Sequence, residues 1–157
     1  MSATDPTVEE VAVEVAHPLR RAVLRPDGGE LAWTGDEDPT TIHLAARTGD
    51  HVIGVARFSP ALCPWRPEVR APWQLRGMAT DPAVRGSGAG RALLVDGLAR
   101  VAARGGDLVW CNARVTAAGF YERFGFAVVT APFDTPGIGP HVGMLVEVTP
   151  SGGPRSG

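Results

Sequence analysis

No apolar run in this chain approaches the roughly 20 residues of a membrane span, so no membrane anchor is expected. The opening residues, Met1-Ser2-Ala3-Thr4-Asp5-Pro6, lack the charged-then-apolar pattern of a secretory signal, which points to the cytoplasm. A basic excess is missing too. The formal net charge is -2, and a general nucleic-acid binder needs the opposite sign. Cysteine is scarce: Cys63 and Cys111 have no CxxC spacing and cannot form a disulfide framework, so both read as packed free thiols. His17, His43 and His51 show no metal-ligand spacing, and no metal is expected. What remains is a soluble chain of 157 residues, 44% apolar, long enough for one ordinary core.

Residues 1–10 read as a flexible polar arm, residues 149–157 as a Gly/Pro/Ser tail, and residues 11–148 as a single domain. Val11, Val13 and Val15 alternate with Ala12 and Glu14, which predicts a first strand. A helical stretch from His17-Pro18 to Arg25 is stopped by Pro26-Asp27-Gly28-Gly29. Ile42–Arg47 and His51–Phe58, joined by Thr48-Gly49-Asp50, predict a hairpin. Pro60, Pro64, Pro67 and Pro72 then keep the chain irregular, with Trp65 as its apolar anchor.

Further strands are predicted over Trp73–Thr80, Leu108–Asn112, Phe126–Thr130 and Gly143–Val148. Helices are predicted over Arg91–Arg104 and Thr116–Phe124. The first of these carries Leu94, Leu98 and Val101 as a core-facing stripe, with Val95 and Ala102 beside it. Pro132, Pro136, Gly137, Gly139 and Pro140 mark a late loop. The order is that of a mixed α/β sheet.

The segment with most chemical content is Arg85-Gly86-Ser87-Gly88-Ala89-Gly90-Arg91, between a strand and a helix. Backbone N–H groups at a glycine turn, with the positive end of the helix dipole, make a site for phosphate. A Walker A loop needs a lysine, and none lies near this turn. A dinucleotide fingerprint needs a third glycine where Arg91 stands, and Asp107 falls at the start of the next strand instead of its end. A bare connecting turn rarely needs three glycines in five residues, because each costs backbone entropy.

Arg85-x-x-Gly88-x-Gly90, preceded by Met78-Ala79-Thr80-Asp81-Pro82, resembles the acyl-CoA loop of the GNAT superfamily of N-acyltransferases. Ala117, Tyr121, Gly125 and Phe126 match that family's closing pattern in order and spacing. The resemblance runs from about Trp73 to Phe126. It implies an α/β (α+β) fold with a mixed, mostly antiparallel sheet, splayed between its fourth and fifth strands and flanked by helices. It also implies an acetyl-CoA-dependent N-acetyltransferase acting on a small-molecule or peptide amine. An acyl-CoA-binding or sensing module without turnover is the alternative on the same fold, and a homodimer is left open.

On that resemblance, backbone groups of Met78, Ala79 and Thr80 hold the pantetheine arm. Gly86, Ser87, Gly88, Ala89, Gly90 and Arg91 hold the pyrophosphate, and Arg85 adds charge. Arg114 stands where many relatives carry asparagine, so a cofactor contact there is changed, to a phosphate contact or to a surface role. Tyr121, the chain's single tyrosine, is the expected general acid, since a phenol stays protonated at neutral pH. The base is not visible: His141 and a water chain are both open. Acceptor specificity is expected from the early helix, the proline-rich segment and the late loop, where Trp33, Trp65 and Trp73 could form walls. Arg20, Arg70 and Arg76 could bind an acidic group or be solvated.

Overall fold

Around the two-residue turn Gly49-Asp50, strands β2 (Ile42–Thr48) and β3 (His51–Pro60) pair antiparallel, from Ile42 opposite Phe58 to Thr48 opposite His51. Gly49 takes φ +59°, the left-handed conformation that a tight hairpin requires. The computed structural model describes residues 5–84 and 86–151. Contacts divide the chain into two units, Met1–Ser59 with Leu75–Gly97 and Pro60–Gln74 with Leu98–Gly157.

In the first unit, β1 (Thr7–Glu10) adds antiparallel to β2, with Thr7 opposite Arg47 and Glu10 opposite Leu44. An ion pair between Glu9 and Arg47 lies across this ladder. The first strand thus lies within the expected arm and not at Val11–Val15; residues 1–4 fall outside the described residues. Val13–Ala16 is a 3-10 turn. Val11, Val15, Leu19 and Val23 all pack on the buried cluster of Ala16, Ala45, Val55 and Ala79. Their spacing of four is helical, and it outweighs the short valine alternation. Helix α1 (His17–Leu19) runs into a wider π turn at Arg20–Leu24.

Strand β4 (Pro72–Thr80) contains Gly77 at φ +70°, a left-handed break inside an extended segment. Helix α2 (Ala89–Ala103) buries Ala89, Leu93, Leu94 and Val101, while Val95 faces solvent. The expected stripe therefore omitted Leu93 and also Gly97, where a Cβ would stand 2.1 Å from the Phe58 ring. The absent side chain is what lets this helix sit on β3.

In the second unit, Pro72–Gln74 of β4 pair parallel with Leu108–Trp110 of β5 (Leu108–Arg114). β8 (Gly139–Glu147) pairs antiparallel along the whole of β5, from Leu108 opposite Glu147 to Arg114 opposite His141. A 3-10 turn at Val115–Ala117 leads into α3 (Ala118–Glu122). β6 (Ala127–Val128) and β7 (Phe133–Thr135) both pair with β8, so part of the expected late loop is a hairpin. The sheet order is β1-β2-β3-β4-β5-β8-β6, and of the pairings described above only β4 with β5 is parallel. Trp65 does anchor the proline-rich connection, edge-on to Trp110 at 5.4 Å, beside Cys63, Leu108 and Leu145.

Candidate functional site

Where β4 ends, Asp81 turns the chain. Its N–H donates to Ile53 O (2.8 Å), and its carboxylate accepts the Ala83 N–H (2.9 Å). After the 3-10 turn Pro82–Val84, Ser87 N–H donates to Val84 O (3.1 Å). Gly86 (φ +82°) and Gly88 (φ +86°) are left-handed, and no described atom lies within 4 Å of where a Cβ would stand at either. Ala92 N–H donates to Gly88 O (2.9 Å) as α2 begins. The N–H groups of Ala89, Gly90 and Arg91 therefore have no carbonyl of their own helix to reach, and that of Ala89 meets Ser87 Oγ at 3.4 Å.

An open glycine loop at the positive end of a four-turn helix fits a phosphate oxyanion. Arg91 is exposed there, while Arg85 lies outside the described residues. Of the residues expected along the pantetheine arm, Ala79 is buried in the core cluster. Met78 and Thr80 are half-buried.

On the second unit, Tyr121 is half-buried on α3, with its ring packed on Phe120 (5.2 Å) and Phe126 (5.4 Å). Burial raises the phenol well above its usual range, and the Cys111 thiol adds to the effect. The hydroxyl is a donor at any physiological pH. Cys111 is itself pushed up to about 12 by burial, so it is no thiolate nucleophile.

His141, at the β7–β8 hairpin, is buried and stacks on Phe133. Its Nδ1 lies 2.9 Å from Gly139 O and 3.1 Å from Thr135 Oγ1. A carbonyl can only accept, which assigns the neutral-ring proton to Nδ1 and the lone pair to Nε2. Arg114 stands directly opposite His141 in the β5–β8 register, hence on the same face. It is exposed and makes no hydrogen bond or ion pair with a described residue.

A third group of residues was not legible as a group in the sequence. Asp36 is buried in the first unit, and its Oδ2 accepts from Arg20 Nη1 (2.9 Å) and from the Trp33 N–H (2.8 Å). Its Oδ1 lies 2.9 Å from Arg57 Nε, although that N–H does not point at the oxygen. His43 Nε2 donates to the Asp36 backbone carbonyl (2.9 Å), and Arg57 Nη2 to Thr34 O (2.8 Å). Burial alone would raise the Asp36 carboxyl; the Arg20 hydrogen bond, the Trp33 N–H, and the charges of Arg20 and Arg57 outweigh it and hold it below the usual range. Arg20, left open between an acidic group of the substrate and solvent, is instead spent inside the protein. Residues 20, 33, 36, 43 and 57 share no local spacing, so only the fold unites them.

Of the three tryptophans that could be either walls or core, Trp73 is buried against Gly106 and Trp65 packs on Trp110. Trp33 remains half-buried, with both Arg20 and Arg76 over its ring at 3.9 and 4.2 Å.

A profile of the Acetyltransferase (GNAT) domain matches residues 39–128. The chain is 34% identical over 139 residues to the uncharacterized N-acetyltransferase YitI of Bacillus subtilis (strain 168), covering 87% of this chain and 93% of that protein. The ribosomal-protein-S18-alanine N-acetyltransferase from Escherichia coli matches with a TM-score of 0.74 at 18% identity, over 94% of this chain and 96% of that one. An aminoglycoside 6'-N-acetyltransferase complexed with coenzyme A gives 0.71 at 17% identity, over 96% and 99%. At such identities the solved structures speak for the fold alone. With the profile and the Bacillus relative carrying the assignment, the chain belongs to the GNAT family of N-acetyltransferases.

Proposed function

We propose that this protein transfers the acetyl group of acetyl-CoA to a primary amine by direct attack in a ternary complex. The observation that carries the reading is the open glycine turn at the start of α2, whose backbone suits a pyrophosphate. Backbone groups of Met78, Ala79 and Thr80 are assigned to the pantetheine arm, and those from Gly86 to Arg91 to the phosphates. Arg114 is assigned to the cofactor's phosphate region.

The neutral amine attacks the thioester carbonyl, the new C–N bond forms, the C–S bond breaks, and CoA leaves as a thiolate. Tyr121 donates its proton to that sulfur, a role its protonated phenol supports. The surplus proton of the amine goes to a base. His141 Nε2 is our choice over a water chain, because the bonds to its Nδ1 leave the lone pair on Nε2. A covalent acetyl-cysteine is disfavoured: Cys111 is held protonated, and Cys63 is 2% exposed.

The test is thiol release from acetyl-CoA across a panel of primary amines, with thermal denaturation in CoA beside it. The chain contains no lysine, so release cannot come from acetylation of its own lysine side chains. CoA is expected to raise the melting temperature by mass action. Gly88→Val, with an unchanged circular dichroism spectrum, is expected to abolish that rise. CoA binding without release from any amine would leave a binding or sensing module; no CoA-induced shift would remove the cofactor reading.

A further inference from the structure

We propose that the guanidinium of Arg76, laid over the Trp33 ring, binds the carboxylate of an acceptor that carries a carboxylate as well as its amine. This rests on the acetyl-transfer reading above and names the chemical class of the acceptor.

The first argument is charge. Arg20 and Arg57 share one buried carboxylate, Asp36, so the buried cluster already holds two cations for one anion. Arg76 adds another cation. It is exposed and has no hydrogen bond or ion pair with a described residue. Partial burial, then the charges of Arg57, Arg25 and Arg20, disfavour its cationic form, and Asp36 opposes them only in part. A cation–π stack on the half-buried Trp33 ring is a small return for holding a guanidinium among three others. An oxyanion at Arg76 would relieve that repulsion.

The second argument is rigidity. The Trp33 N–H is tied to Asp36, and its ring packs on the β4 backbone so closely that a Cβ at Gly77 would stand 2.6 Å from it. Gly77 at φ +70° is what permits this approach. Arg76 therefore lies on a fixed surface, with its guanidinium carbon 4.2 Å from the centre of the Trp33 ring and no hydrogen bond from its N–H groups to a described residue. A flat fork of donors matches a carboxylate through two parallel hydrogen bonds.

The third argument is position. Arg76 precedes Met78 by two residues on β4, with only the left-handed Gly77 between them. A carboxylate held there sits next to the strand segment to which the pantetheine arm is assigned.

The experiment compares matched amines: a free amino acid, its amide, the corresponding amine without a carboxylate, a short peptide with an acidic side chain, and an aminoalkyl phosphate. In the wild type, kcat/KM for a carboxylate-bearing amine is expected to exceed that for its amide by about tenfold or more. The free amino acid and the acidic peptide distinguish the two sources of that carboxylate. Arg76→Met keeps the stem over Trp33 and removes the charge. It is expected to erase the preference through KM, leaving kcat for the amide and the CoA-induced thermal shift unchanged.

Equal KM ratios in wild type and Arg76→Met would overturn the proposal, and so would a preference for the phosphate. Calorimetry with N-acetyl amino acids and their amides reads the platform without turnover. Arg76-dependent binding there, with no amine acetylated, would uphold the platform and sink the transferase reading. Binding that is absent, or equal in the two proteins, would sink the platform.

Discussion

Tyr121 shows what one side chain owes to its neighbours. Its place between Ala117 and Gly125 is legible as a family pattern, but the further rise of its pKa comes from burial and from the nearby Cys111, with its ring packed on Phe126. Tyr121→Phe keeps the ring and removes the proton. Turnover is expected to fall by about 10²-fold or less, since a CoA thiolate is already a fair leaving group and water can substitute. The affinity for acetyl-CoA is expected to stay constant. Wild-type turnover with an unchanged pH profile would make the tyrosine a packing residue.

Among the elements, α2 was legible and its buried face was not. Leucine spacing predicts the helix, but it does not show that Gly97 lies against the Phe58 ring. Gly97→Ala places a Cβ into that ring, so it is expected to destabilise by about 1–3 kcal/mol, the usual cost of overpacking. Gly119→Ala is the control: it lies on α3 with nothing within 4 Å of the added carbon, and is expected to be neutral or to stabilise by up to about 1 kcal/mol. Thermal and urea denaturation of both variants checks the pair; equal stabilities would remove the close-packing argument.

Errors at this scale have physical causes. The Val11–Val15 alternation was too short to outweigh a four-residue apolar spacing continuing to Val23. β7 was hidden because Pro136 and Gly137 punctuate the turn of a hairpin, and the strand before them is three residues long.

For the whole molecule, stability against pH is bounded at both ends by buried groups. The Asp36 carboxyl is lowered in the folded state, so its contribution is present above the unfolded value near 3.9 and is lost as pH falls through the folded one. The Cys111 thiol is raised to about 12 and the Tyr121 phenol is raised as well. Their contributions are complete below the unfolded values and are lost as pH rises beyond them. Urea denaturation across pH is expected to show a plateau near neutrality, a fall below about pH 4, and a fall above about pH 9. Each titrating group contributes a slope of at most about 1.4 kcal/mol per pH unit. Cys111→Ala is expected to flatten the alkaline limb. An alkaline limb unchanged by that substitution would refute the assignment.

The sequence alone determined the β2–β3 hairpin, helix α2, the family and the glycine turn, because each depends on residues close together in the chain. Periodicity, Asp81-Pro82, and the spacing of Gly88, Gly90, Tyr121 and Gly125 are local signals. Tertiary structure alone decided which charged groups meet. Arg20, Asp36, His43 and Arg57 come from the π turn, a loop and two strands, and no local pattern pairs them. Trp33 and Arg76 lie 43 positions apart in the numbering and meet because β4 breaks at a left-handed glycine that admits the indole. Coulomb and stacking energies depend on distance in space, which the order of residues does not carry until the chain has folded.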